Sequence, residues 1–220
     1  PGIVPLWLAV RKRGLAITRK QVEIYVKKKG EKQVLQAAQP AKGKTVAESI
    51  DARFMMDLIQ FANKPVTVGS KTWRYVLVAI NAFDRVMYAA PLESKEPTEV
   101  AAALGKLLAT APRNPKLISS DHGSEFKGPL SEYLTRRGIV QKFKEPSDVN
   151  ALGLLDKAIQ SLKQRLAEAT NAKKTWVSQL AGAVRGLNDT PKTGVLHGAA
   201  PNEVWGDDDV QFLLLQDQAK

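Results

Sequence analysis

The sequence predicts an α/β domain whose mixed five-stranded sheet is flanked by helices and preceded by a small basic helical module. Three observations carry that prediction. Apolar and β-branched runs at Phe54–Phe61, Thr72–Ile80 and Arg85–Leu92 follow one another at hairpin distances, which favours three antiparallel strands. After Leu92 the pattern changes to helix, strand, helix, strand and two further helices, so the sheet gains its last two strands by crossover. The 220 residues are 44% hydrophobic, enough for one ordinary core beside a smaller module.

Residues 1–38 read as the helical module. Pro5–Arg13 is apolar and then basic, Gly14 breaks it, and Thr18 with Gln21 forms a capping-box pattern. The helix that follows would bury Val22, Tyr25 and Val26. Two such helices are either a helix-turn-helix or a packing module. Residues 39–52 are poor in large apolar side chains and read as a linker. The core spans 53–206. Within it Asn81–Asp84 is a turn, and Pro97–Thr110 is a helix with Val100, Leu104 and Leu107/Leu108 at helical spacing. Lys116–Ser119 is the fourth strand, Glu125–Arg136 a helix and Ile139–Phe143 the fifth strand. A long helix runs from about Ala151 to Thr170, and another covers Trp176–Leu187. Residues 207–220, with Asp207, Asp208 and Asp209, read as an acidic tail. This order is that of an RNase H-like α/β domain; a doubly wound fold would alternate strand and helix from its start.

Composition excludes several chemistries. With no cysteine there is no disulfide scaffold, thiol catalysis or Cys-based zinc site, and two histidines supply too few ligands for a His-only one. No apolar run approaches the ~20 residues of a membrane span, and no signal peptide opens the chain. Pro1 is not an initiator Met, so a fragment of a longer precursor is expected. The net charge is +11. It is concentrated in residues 1–50, which carry 11 basic and 3 acidic side chains. A basic arm beside a near-neutral core reads as a nucleic-acid grip or as a solvated surface.

Three acids stand out. Asp57 lies inside an apolar strand, where an ionised carboxylate is costly unless paired or bound to a cation. Asp121 closes the fourth strand before His122-Gly123, and taken alone is an ordinary turn residue. Asp156 lies early in the long helix, bordering the apolar stripe of Leu155, Ala158, Ile159, Leu162 and Leu166. Taken alone it is a surface acid. Together they come from three segments that the proposed sheet brings to one edge. Such a cluster repels itself unless Mg²⁺ or Mn²⁺ occupies it. Two such ions about 4 Å apart support in-line phosphoryl displacement.

These residues resemble the catalytic core of the retroviral-type integrases, a branch of the acidic-triad transposases, from about Arg53 to Trp205. RFMMDLIQF is similar to the family's first strand with its metal-binding Asp, and KLISSDHGSEFKG to its Asp-x-Gly-x-Glu-Phe segment. GLLDKAIQSLK resembles the third metal segment, and NDTPKTGVLHGAAPNEVW the closing Asn-x-Thr…Pro motif. The whole is nearer to retrotransposon and Polinton-type integrases than to any one retrovirus. The resemblance implies Asp57, Asp121 and Asp156 as catalytic metal ligands for two Mg²⁺ or Mn²⁺ ions. It implies Lys163, Gln160, Lys157 and Asn150 as DNA contacts, and Glu125 and His122 as supports behind the acids. The loop Glu145–Asn150 would close over a DNA end.

The implied activity is that of a metal-dependent polynucleotidyl transferase, processing 3′ ends of mobile-element DNA and joining them to target DNA. Double-stranded DNA and a second copy of the chain, at least a dimer, are the implied partners. The implied location is the nucleus or an element particle, away from membranes. Four departures qualify this. The third acid is Asp where the family usually has Glu. The upstream module lacks a His/Cys zinc site. A family His in the closing segment is Lys192, with His197 further on. No C-terminal β-barrel follows by Lys220. The alternatives are a nuclease of the same fold without strand transfer, and a domesticated copy that only binds DNA.

Overall fold

A computed structural model describes residues 10, 15, 17–29, 47–61, 63–144 and 153–218. The chain divides into two units, residues 1–42 and 43–220. In the first, helix α1 (Arg19–Lys29) opens with the reciprocal capping box. Gln21 Oε1 accepts from the Thr18 N–H at 2.7 Å, and Thr18 Oγ1 accepts from the Gln21 N–H at 3.3 Å. Val22 is buried, but Tyr25 is 52% exposed, so the apolar stripe is narrower than its sequence suggests. The helix expected over Pro5–Arg13 lies outside the described residues, apart from Val10.

The second unit is built on β1 (Arg53–Gln60), the short pair β2 (Val66–Val68) and β3 (Lys71–Trp73), β4 (Tyr75–Asn81) and β5 (Met87–Leu92). Then come α2 (Pro97–Thr110), β6 (Leu117–Ser120), α3 (Pro129–Arg136), β7 (Val140–Phe143), α4 (Gly153–Ala169), α5 (Trp176–Asn188) and α6 (Asp208–Gln218). The five-stranded sheet runs β5-β4-β1-β6-β7. β5, β4 and β1 pair antiparallel, whereas β6 pairs parallel with both β1 and β7. This is the mixed, RNase H-like sheet that the element order predicts.

Two elements differ from the sequence reading. The run Thr72–Ile80 divides at Arg74, whose N–H bonds the Leu92 carbonyl while its own carbonyl takes the Phe61 N–H. Residues before it pair with β2 and residues after it with β1. The expected helix Glu125–Arg136 also splits, into a 3₁₀ turn at Ser124–Phe126 and α3. Gly128, at φ 57°, and Pro129 separate the two. Only glycine takes that backbone readily, and proline is tolerated in the first turn of a helix but not inside one.

Strand alternation sorts the core into two layers. Phe54 and Met56 point to α2 and α3, packing with Leu104, Leu130 and Leu134. Met55 and Ile59 point the other way, to Leu155, Ile159 and Leu162 of α4 and Leu180 of α5. A third cluster joins Ala47, Ile50, Phe83, Leu196 and Leu214. It therefore holds residues read from sequence as linker and as acidic tail, because the helix α6 packs Leu214 and Val210 inward while its acids face water. Truncating Leu155, fully buried against the sheet, is expected to cost about 2–5 kcal/mol, readable as a lower denaturant midpoint with unchanged m-value.

Candidate active site

Asp57 is the fifth residue of β1, on the side of the sheet that carries Met55 and Ile59 and that α4 covers. It is half-buried. Its Oδ1 accepts the Leu58 N–H at 2.7 Å. The parallel register between β1 and β6 pairs Met55 with Ser119 and ends there. Continued by two residues it would set Asp121 opposite Asp57, at the ~4.8 Å spacing of neighbouring strands. The ladder stops just before two carboxylates would meet.

Asp121 is exposed and is also a turn residue, since its Oδ1 accepts the Gly123 N–H at 2.9 Å. A Cβ on Gly123 would lie 2.7 Å from the Glu125 carboxylate and 3.0 Å from Asp121 Oδ1, so a side chain there would push these carboxylates aside. Asp156 is exposed in the first turn of α4, one residue after the buried Leu155. The field of all these acids is felt at Asp57. Its carboxyl is pushed up to about 6, first by burial and then by the charges of Asp121, Asp156 and Glu125, against the Leu58 N–H. Among the described residues, no group of three His, Cys, Asp or Glu side chains is gathered closely enough to hold a single ion.

The other expected site residues separate. Gln160 and Lys163 are exposed and share the outer face of α4 with Asp156 at i+4 and i+7. Lys157 lies on a different flank of that helix and lines a separate cavity. His122 is exposed and stacks its ring on Phe143, with centroids 5.1 Å apart, which holds the turn after Asp121 to the end of β7. Asn150 and the rest of the loop 145–150 lie outside the described residues.

The backbone of this arrangement has relatives of known structure. The catalytic core domain of BIV integrase matches with a TM-score of 0.58 at 21% identity, covering 74% of this chain and 99% of that one. The HTLV-2 integrase catalytic core domain, solved in complex with magnesium, matches with 0.58 at 13% identity, covering 72% and 99%. The chain has the fold of a retroviral integrase catalytic core. A chain of the simian T-cell lymphotropic virus intasome in complex with the PP2A regulatory subunit B56 gamma gives a TM-score of 0.64 at 14% identity over 94% of this chain and 71% of that one. No protein-family model matches the sequence. A transposon-derived protein of Caenorhabditis elegans is 30% identical over 132 residues, 59% of this chain. The match spans 45% of that relative's length.

Within the integrase fold, the closing motif turns out to be structural. Asn188 is buried, donating from Nδ2 to the Met87 carbonyl at 2.8 Å and accepting the Met87 N–H at 2.9 Å. It ties α5 to β5 as a strand neighbour would. His197 pairs with Asp217 at 2.9 Å, and Trp176 stacks on Phe61 while donating to the Lys64 carbonyl at 2.9 Å. Among the described residues, no helix is long and apolar enough to cross a membrane.

Proposed function

We propose that this chain is the catalytic core of a DNA integrase or transposase of a mobile element, which processes DNA ends and joins the freed 3′-OH to target DNA. The observation that supports this most is the meeting of acidic fields at Asp57, from the end of β6 and the start of α4. A half-buried carboxylate under the charge of neighbouring acids favours a cation beside it. The donor set is all oxygen, which suits Mg²⁺ or Mn²⁺. Mg²⁺ commonly takes only one or two carboxylates and completes its shell with water and phosphate oxygens. Asp57 paired with Asp121, and Asp57 paired with Asp156, therefore suffice for two ions, with no ion needing all three acids. Bound there, the ions would activate the attacking oxygen and stabilise the leaving one.

The protein's own residues supply position. Asp57 is fixed on a central strand, Asp121 on a turn braced by Gly123 and by the His122–Phe143 stack. Asp156, Gln160 and Lys163 present an acid, an amide and a cation along one exposed face, an arrangement that seats a phosphodiester beside the metal ligands. Glu125 adds negative charge behind them. Double-stranded DNA is the substrate, and joining two ends calls for at least two copies of the chain.

The test offers the protein a processed 3′-OH end, a target plasmid and Mn²⁺ or Mg²⁺. Joined products support strand transfer. Hydrolysis alone supports the nuclease, for which the shorter third acid, Asp156, gives a specific reason. Duplex binding with no metal-dependent reaction would leave a domesticated DNA-binding protein. Duplex affinity is expected to fall by about 10³-fold between 50 and 200 mM salt, as for a protein neutralising six or more phosphates. A flat salt profile would count against DNA as the partner.

A further inference from the structure

On α4, Leu154, Lys157, Ala158 and Ser161 recur at i, i+3, i+4 and i+7 and face a cavity of about 500 Å³. The acid-bearing residues of that helix, Asp156, Gln160 and Lys163, lie on the opposite flank of its buried stripe. The cavity is therefore separate from the carboxylates. Its walls bring together Arg85 from the β4–β5 turn, Lys157 from α4 and Lys192 from the loop after α5, over a floor of Leu154, Ala158 and Val195.

Among the described residues, no salt bridge joins Lys157 or Lys192 to a carboxylate. Lys192 is half-buried, and burial, with the charges of Arg85 and Lys157, lowers its proton affinity. The acid beside Arg85 in sequence is Asp84. It is buried, its Oδ1 takes the Val86 N–H, and burial pushes its carboxyl up to about 7, so it is a weak counter-charge.

The backbone holds these cations in place. Arg85 sits at φ 66°, a conformation glycine adopts freely and arginine only at a cost in stability. Its Nη1 donates to the Ala82 carbonyl at 2.6 Å, which orients the guanidinium. Lys192 is fixed too: its carbonyl accepts the Leu196 N–H at 2.8 Å and its N–H bonds the Ala199 carbonyl at 3.0 Å.

We propose that Arg85, Lys157 and Lys192 form a phosphate-binding pocket on the far flank of α4 from the carboxylates. A guanidinium fork with two ammonium groups matches the oxygens of a phosphate, and the apolar floor accepts the organic part of an ester. The phosphate comes either from a DNA strand passing over α4 or from a free polyphosphate.

The test uses the full chain in EDTA, so that the carboxylates take no metal, with sodium pyrophosphate and a 20-base-pair duplex as probes in titration calorimetry. Arg85→Gly relieves the backbone and Lys192→Gln keeps a polar side chain one atom shorter without the charge, so both should fold. The wild type is expected to bind pyrophosphate at least about tenfold more tightly than either variant, the loss of a charge-assisted hydrogen bond. Asp57→Asn should match the wild type in this assay, whatever happens to DNA joining. Where the phosphate belongs to DNA, both variants also lose duplex affinity and pyrophosphate competes with the duplex. Where it belongs to a small polyphosphate, duplex affinity is unchanged in the variants. If neither probe distinguishes the wild type from Arg85→Gly and Lys192→Gln, the pocket does not bind phosphate.

Discussion

Replacing Asp121 by Asn is expected to remove metal-dependent DNA joining and to leave the fold intact. The side chain is exposed at the end of β6, so no buried group is lost. Its one hydrogen bond in the turn is accepted by Oδ1 from the Gly123 N–H, and an asparagine carbonyl accepts the same bond. What disappears is the negative charge that draws a cation to Asp57. Metal coordination contributes several kcal/mol to transition-state stabilisation in such displacements. Losing it should lower the joining rate by about 10³-fold or more. Thermal unfolding should move by no more than about 0.5 kcal/mol, as for other surface substitutions. A variant that joins DNA at the parent rate would remove Asp121 from the site.

The elements that position this site were largely legible because each obeys a local rule. An acid inside FMMDLIQF is conspicuous where only apolar side chains pay no desolvation cost, and the capping box of α1 is written in two residues. Helix α2 has the boundaries its Pro97 and its apolar spacing predict. What escaped depends on contacts distant in sequence. Arg85 and Lys192 share a cavity only because the loop after α5 returns to the β4–β5 turn, and neither residue belongs to a recognisable pattern. Asn188 reads as a motif residue, yet its work is to bond the backbone of Met87, 101 positions away. The resemblance groups Lys157 with Lys163, but 100° of helix rotation per residue sets it on another flank from Asp156. The split at Gly128-Pro129 was visible in sequence. The proline within the expected helix Glu125–Arg136 marks the start of a new helix.

Asp57→Asn is expected to stabilise the metal-free protein at neutral and alkaline pH. The folded state raises this carboxyl from its ordinary 3.8 to about 6, chiefly by burial. Between those values the folded chain binds more protons than the unfolded one, so stability falls as pH rises. The favourable contribution of the protonated form is fully present below about 4 and is lost as pH passes through 6. At pH 8 the ionised, half-buried Asp57 then costs about 2 kcal/mol after allowance for its contact with solvent. Asparagine carries no charge to desolvate. The variant should melt higher than the parent by about 4–8 °C at pH 8, and the difference should vanish at pH 4. Divalent ions should act on the parent alone. At about 100 times its dissociation constant, Mn²⁺ stabilises the parent by about 2.7 kcal/mol at pH 8, less at pH 5, and leaves the variant unmoved. Equal melting of the two proteins at pH 8 would show that Asp57 carries no destabilising charge. An Mn²⁺ shift that survives in Asp57→Asn would place the ion elsewhere. The predicted pattern makes the inactive variant the more stable one, because the ionised Asp57 carboxylate is costly to bury, and stands near other acids, until a cation arrives.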